Sequence, residues 1–277
     1  MPSVKPVRIV RQINDEATQA DDLVVVEEPL EIRLGYGPKN DRKQLSLSVT
    51  MRTPGNDEEL TIGFLFSEGI VNSMEDLLNV KYCEDLGKHE QRENIMRAEL
   101  SPSVELDPGV FKRNFYTTSS CGVCGKASID QVKVHCEQIG GNIKINKRLL
   151  HQIPSKLQEA QIVFKHTGGL HASAMFDLQG NLQFFREDVG RHNALDKVLG
   201  FAVLSGTTLS DSLLLLSGRI SFELVQKAAR AGIPIVAAVG APSSLAVELA
   251  DEVGITLVGF LKKDKFNVYT HPNRLSP

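Results

Sequence analysis

Apolar and polar positions alternate in short bursts through the first part of the chain, and the bursts at Leu23 to Val26, Glu31 to Leu34, Leu45 to Met51 and Val80 to Tyr82 predict strands separated by turns. One helix interrupts them. Thr53-Pro54-Gly55-Asn56 reads as a turn with Asn56 as N-cap, Asp57, Glu58 and Glu59 fill the first helical turn, and Leu60, Ile62, Phe64, Leu65 and Phe66 form the apolar stretch before Gly69. Asp85 to Glu93 is charged and reads as a solvated loop. Ser101 to Gly109 reads as a connector.

Ala127 to Ile139 has helical spacing through Ile129, Val132 and Cys136 and stops at Gly140-Gly141. A further helix is expected over Asn146 to Gln161, then a strand over Ile162 to Phe164. Leu170 to Phe176 and Leu182 to Arg186 read as a hairpin closed by Asp177-Leu178-Gln179-Gly180. Beyond Gly190 the pattern becomes helix and continuous apolar strand in alternation: Asn193 to Leu204, Leu213 to Leu216, Phe222 to Ala231, Ile235 to Val239, Leu245 to Val253 and Ile255 to Val258. Gly232 and Gly254 are placed to end helices, and uninterrupted apolar strands are what a parallel sheet buried on both faces requires. The fold class is therefore α/β, with a smaller strand-rich N-terminal α+β domain over 1–115 and an α/β domain over 116–277.

The 277 residues, 42% of them apolar, are enough for real cores. Charge narrows the partners: 31 basic against 34 acidic side chains make no general positive field, so nonspecific nucleic-acid binding is not expected and any anion site is local. The N-terminus has no continuous apolar segment of the export type, and no run of about 18 apolar residues suggests a membrane span. A cytoplasmic location is expected.

Chemistry concentrates in Thr117-Thr118-Ser119-Ser120-Cys121-Gly122-Val123-Cys124-Gly125-Lys126, a close thiol pair flanked by glycines. Such a pair can hold a metal, cycle between dithiol and disulfide, or carry sulfur as a persulfide. Lys126 and the start of the expected helix at Ala127 would both favour a thiolate. Structural zinc usually takes a second pair of Cys or His ligands, which this chain does not offer. His135-Cys136-Glu137 spells His-x-Glu, yet it follows the cysteine pair where a zinc deaminase has it first, and Ser120 stands where proline is expected. A redox pair would more commonly sit in an N-terminal βαβ unit. Cys83 and Cys136 read as small, partly buried hydrophobes.

Ligands of open α/β sheets bind beyond the carboxyl ends of the strands. Three such ends are readable: Ser217-Gly218-Arg219, Gly240-Ala241-Pro242-Ser243-Ser244, and Gly259-Phe260-Leu261-Lys262-Lys263-Asp264-Lys265. Small residues, hydroxyls, an aromatic ring and cations suit a nucleotide or other phosphorylated ligand; ordinary solvated loops are the plainer alternative. His166, His171 and His192, the last beside Arg191, are candidate proton donors or ligand contacts.

Four segments carry a resemblance: Ser119 to Gly125; Thr167-Gly168-Gly169-Leu170-His171-Ala172-Ser173-Ala174; Glu187-Asp188-Val189-Gly190-Arg191-His192-Asn193-Ala194-Leu195-Asp196-Lys197; and Phe266-Asn267-Val268-Tyr269-Thr270-His271-Pro272, with Ser67-Glu68-Gly69-Ile70 as a weaker match. In these the chain resembles the FdhD-type formate dehydrogenase accessory sulfurtransferases. The resemblance implies a cytidine-deaminase-like α/β fold without deaminase chemistry, a homodimer, and no permanently bound metal. It implies sulfur passed from a cysteine desulfurase to the bis-molybdopterin guanine dinucleotide cofactor of formate dehydrogenase, with Cys121 as persulfide carrier and Cys124 in support. The family's cofactor-binding segment falls on Phe260, Leu261, Lys262, Lys263, Asp264 and Lys265, with Arg219 and Ser243 as further candidates. Relatives often have glycine and arginine in that turn, and lysine offers a point charge in place of a bidentate fork.

Overall fold

The computed structural model of the protein describes residues 2–84, 92–105 and 138–277. The strand expected at Leu23 to Val26 is the end of a hairpin absent from the sequence reading, β1 (Val4–Ile13) paired with β2 (Glu16–Val25). Most of its residues are exposed on both faces, so its apolar positions mark no buried side from which a strand could be read.

A four-stranded sheet follows, built from β3 (Glu28–Tyr36), β4 (Lys43–Arg52), β5 (Leu77–Tyr82) and β6 (Ile95–Leu100) in the order β4-β3-β6-β5. The edge strand β5 pairs with β6, which the sequence reading omits. Helix α1 (Asp57–Ser67) covers the sheet, with Ile62 and Leu65 packed against Ile32, Leu34, Leu47 and Ala98. Asn56 does occupy the N-cap position, but its backbone is left-handed (φ 57°) and its side chain makes no capping bond. Asp57 turns inward instead, paired with buried Arg52 at 2.9 Å and accepting the Tyr82 hydroxyl at 2.8 Å. Burial and that bond push the Tyr82 phenol up to about 12.

The single helix expected over Asn146 to Gln161 is two helices, α2 (Lys147–Leu150) and α3 (Ile153–Ala160), preceded by the short strand β7 (Ile145–Asn146). Pro154 lies in the first turn of α3, where its missing N–H costs nothing. The expected strand Ile162 to Phe164 is instead helix α4 (Ile162–Thr167), because three consecutive apolar residues carry no period that separates the two forms.

The remaining elements are β8 (His171–Asp177), β9 (Leu182–Asp188), α5 (Arg191–Ser205), β10 (Ser212–Leu216), α6 (Phe222–Arg230), β11 (Ile235–Ala238), α7 (Ser244–Val253), β12 (Thr256–Gly259), β13 (Asn267–Thr270) and β14 (Leu275–Ser276). They form a six-stranded sheet ordered β13-β12-β11-β10-β8-β9, in which β10, β11 and β12 run parallel and β8 opposes β10. The apolar runs are explained by burial on both sides. Leu214, Leu216, Val236 and Ala238 face α5, α6 and α7, while Leu213, Leu215, Ile235 and Ala237 face α2 and α3. This is an α/β protein with a strand-rich N-terminal part. The expected domain boundary at residue 115 lies outside the described residues, as does the expected helix from Ala127 through residue 137.

The two sheets are joined back to back by α1 and α5. Their backbones touch at Gly63 and Gly200: a Cβ on Gly63 would overlap the Asp196 carbonyl, and one on Gly200 the Glu59 carbonyl. Beside this crossing, Lys227 donates to Asp196 at 2.8 Å and to Ser67 at 2.7 Å, all three side chains buried. Among the described residues, no helix is long and apolar enough to cross a membrane.

Candidate functional site at the carboxyl edge of the sheet

Because β10, β11 and β12 are parallel, their three following loops emerge on one edge and bond to each other in sequence. Gly240 N–H donates to the Gly218 carbonyl at 3.1 Å, and Phe260 N–H donates to the Gly240 carbonyl at 3.0 Å. The fold thus gathers the three strand ends picked out from sequence. Arg219 is exposed in the first loop. Ser243 is the N-cap of α7, its hydroxyl accepting from Ala246 N–H at 3.3 Å, so that oxygen already serves the helix.

In the third loop Phe260 is 41% exposed and holds a left-handed backbone at φ 51°. For a bulky residue that conformation costs about 1–3 kcal/mol, and such strain collects at functional sites. Its neighbour behaves otherwise. Leu261 is 1% exposed and packs with the apolar cluster under the sheet, so its side chain anchors the turn and does not face outward. Lys262 N–H closes the turn on the Lys265 carbonyl at 2.8 Å, and Lys262, Lys263, Asp264 and Lys265 are all exposed.

A second group of polar side chains meets the same edge from β8, α5 and α6. Since β8 opposes β10, His171 at its start lies beside the end of β10, where a Cβ on Gly218 would come within 3.2 Å of His171 Nδ1. His192, in the first turn of α5, has Nε2 3.3 Å from Ser221 Oγ and 3.8 Å from Glu223 Oε2. Burial opposes the charge of Glu223, but hydrogen bonds from His192 and Ser221 outweigh it and hold the carboxyl down to about 2. His171 is kept below its ordinary value by burial and by Arg191 and His192, against the opposing pull of Asp188. Ser221 and Glu223 are absent from the sequence reading; only the fold brings them to His192. His166 lies exposed at the end of α4.

The motif Glu187 to Lys197 has a structural task too. Asp188 is fully buried and accepts from Lys197 Nζ at 2.7 Å, Thr53 N–H at 3.1 Å, Gly190 N–H at 2.8 Å and Asn193 Nδ2 at 3.1 Å. Lys197 also donates to the Thr53 carbonyl at 2.9 Å, tying the second sheet to the first. Cys121 and Cys124 lie outside the described residues, and so does Cys136. Cys83 is buried, 3% exposed, at the end of β5. Among the described residues, no three His, Cys, Asp or Glu side chains are grouped to hold a metal ion.

The chain is 47% identical over 274 residues to a protein of Streptomyces avermitilis named sulfur carrier protein FdhD, with 97% of this chain and 94% of the relative covered. A protein of the same name from Saccharolobus solfataricus is 40% identical over 273 residues, covering 98% of each. In architecture the chain is similar to a crystal structure of a putative formate dehydrogenase accessory protein from Desulfotalea psychrophila, with a TM-score of 0.76 over 99% of this chain and 100% of the other, at 24% identity. The family model for FdhD/NarQ proteins matches residues 25–276. With that match and relatives of this identity along nearly its whole length, the chain belongs to the FdhD/NarQ family.

Proposed function

We propose that this protein is a sulfur carrier, with Cys121 accepting sulfur from a cysteine desulfurase as a persulfide and passing it to the bis-molybdopterin guanine dinucleotide cofactor needed for formate dehydrogenase activity. One observation carries the reading: the Cys121 and Cys124 pair stands in a chain 40–48% identical, end to end, to proteins named sulfur carriers. Loading is a thiol exchange. The Cys121 thiolate attacks the terminal sulfur of the donor's persulfide, a new S–S bond forms at Cys121, the donor's S–S bond breaks, and the donor leaves as a thiolate. Lys126, next in sequence to the pair's flanking glycine, favours the attacking thiolate electrostatically. Cys124 supports transfer: its thiolate would attack Cys121 Sγ, a Cys121–Cys124 disulfide forming as the carried S–S bond breaks, and the outer sulfur leaves as hydrosulfide for the cofactor.

The carboxyl edge of β10, β11 and β12 supplies what a guanine nucleotide end of the cofactor would need. Phe260 offers a ring for the base, and Lys262, Lys263 and Lys265 with Arg219 offer positive charge for phosphates. Bound there, the cofactor provides the metal centre that receives sulfur; the chain's own residues hold its nucleotide ends. The protein acts as a cytoplasmic homodimer and as a sulfurtransferase in this reading. Formate dehydrogenase maturation tests it: Cys121→Ser should abolish activity of the client enzyme, and full activity in that variant would remove the carrier role. A chaperone that only binds the cofactor would tolerate loss of both thiols.

A further inference from the structure

The turn between β12 and β13 is held differently at its two ends. Its first half is tied to the sheet by backbone bonds, Phe260 N–H to the Gly240 carbonyl at 3.0 Å and Leu261 N–H to the Ala238 carbonyl at 2.9 Å. The lysines sit in the second half, where Lys262, Lys263 and Lys265 are exposed and strand pairing resumes at Asn267. That half meets the corner between α2 and α3. His151, 111 residues earlier in sequence, has Nδ1 3.3 Å from the Lys262 carbonyl oxygen, and its ring lies 5.2 Å from the Phe266 ring, centroid to centroid, at 45°. The carbonyl can only accept, so Nδ1 carries the proton and donates.

The corner is fixed by burial. Leu150 and Ile153, on either side of His151, are both 0% exposed and share one apolar cluster with Leu261, against which Phe266 also packs. His151 therefore reaches the turn from an anchored base. Lys262 N–H already donates to the Lys265 carbonyl at 2.8 Å. With its carbonyl oxygen held by His151, both polar groups of the Lys262 backbone are engaged, and the peptide plane leading to Lys263 is set.

We propose that His151 is a positioning residue: it fixes the peptide plane between Lys262 and Lys263 and so aims the lysine tip at a phosphate group, touching no ligand itself. A lysine is a point charge on a flexible stem, so what the fold can arrange in advance is the backbone that carries it. The Phe260 end hangs from Ala238 and Gly240 and not from His151. Loosening the tip should therefore weaken the hold on phosphates and spare the hold on the base. This inference rests on the reading of the turn as a guanine-nucleotide site.

Calorimetry on the full chain with GDP and with guanosine, together with amide hydrogen exchange of the unliganded chain, tests it. His151→Ala should bind GDP about 3-fold to 10-fold more weakly, the range for one neutral hydrogen bond, while guanosine stays within about 2-fold of wild type. The Lys262 N–H should exchange faster by about the same 3-fold to 10-fold. His151→Asn, whose amide nitrogen is as many bonds from Cα as Nδ1, should restore both properties. His151→Phe keeps a ring against Phe266 but has no donor, and should restore neither. A residue that only packed would be rescued by Phe and would shift GDP and guanosine alike. Unchanged GDP affinity in His151→Ala, equal loss of GDP and guanosine, unchanged exchange at Lys262, or rescue by Phe in place of Asn overturns the inference. If wild type binds no GDP, the nucleotide reading itself falls and takes the inference with it. If GDP binding is lost when Lys262, Lys263 and Lys265 become Ala but kept in full by His151→Ala, the inference alone falls.

Discussion

The charges between the two sheets and those along the carboxyl edge differ in what satisfies them. Asp188, Asp196, Lys197 and Lys227 are buried and paired within the protein. The side chains of Arg191, Arg219, Lys262, Lys263 and Lys265 make no ion pair among the described residues. Both kinds occur inside one stretch, Glu187 to Lys197, so membership in a motif does not by itself assign a residue to function. Asp188 and Lys197 hold the N-terminal sheet to the second sheet, whereas Arg191, between them in sequence, is only partly buried and makes no ion pair among the described residues. Interior charge here serves assembly of the fold; edge charge is available for binding.

Asp188→Ala leaves Lys197 buried without its partner, and should cost about 3–5 kcal/mol in denaturant unfolding. A loss below about 1 kcal/mol would mean the two sheets are held mainly by the contact at Gly63 and Gly200. At the edge the reverse holds. Changing Lys262, Lys263 and Lys265 together to Ala should weaken guanine-nucleotide binding by about 10-fold or more while shifting stability by no more than about 0.5 kcal/mol.

Glu223 ionises at about 2 in the folded protein, below its ordinary 4.5, so its contribution to stability is complete above about pH 4.5 and fades as pH falls toward 2. Glu223→Gln should flatten the stability profile within that window, and an unchanged slope would show that His192 and Ser221 do not hold the carboxylate. Tyr82 runs the other way. Its phenol is raised to about 12, so the stability it confers is complete below pH 10 and is lost as pH climbs through 12. The ultraviolet difference between wild type and Tyr82→Phe should show a phenol ionising near that value; ionisation near 10 would exclude the bond to Asp57.

The second sheet was legible in sequence because burial on both faces writes itself as unbroken apolar runs, and because Gly254 ends α7 in the left-handed conformation that favours glycine. Helix α5, expected over Asn193 to Leu204, spans Arg191–Ser205. The N-terminal hairpin was not legible, since neither of its faces is packed well enough to enforce an apolar side. Ile162 to Phe164 failed for a different reason: three apolar residues fit a strand or a helix equally, and packing decides. At the candidate site, the three loops could be read because each follows a recognisable strand. The contact of His192 with Ser221 and Glu223 could not be, because it depends on which strand β10 lies beside, and the order in which strands pair is not written in either segment. Leu261 shows the limit of assigning a whole segment to binding, since one residue of it is core.

Peptide mass spectrometry after incubation with a cysteine desulfurase and cysteine tests whether sulfur travels on Cys121. One added sulfur atom is expected on the peptide holding Cys121, removed by a reductant and absent in Cys121→Ser but still formed in Cys83→Ser. An unmodified Cys121 under conditions where the desulfurase itself is loaded, or added sulfur only on another cysteine, would contradict it.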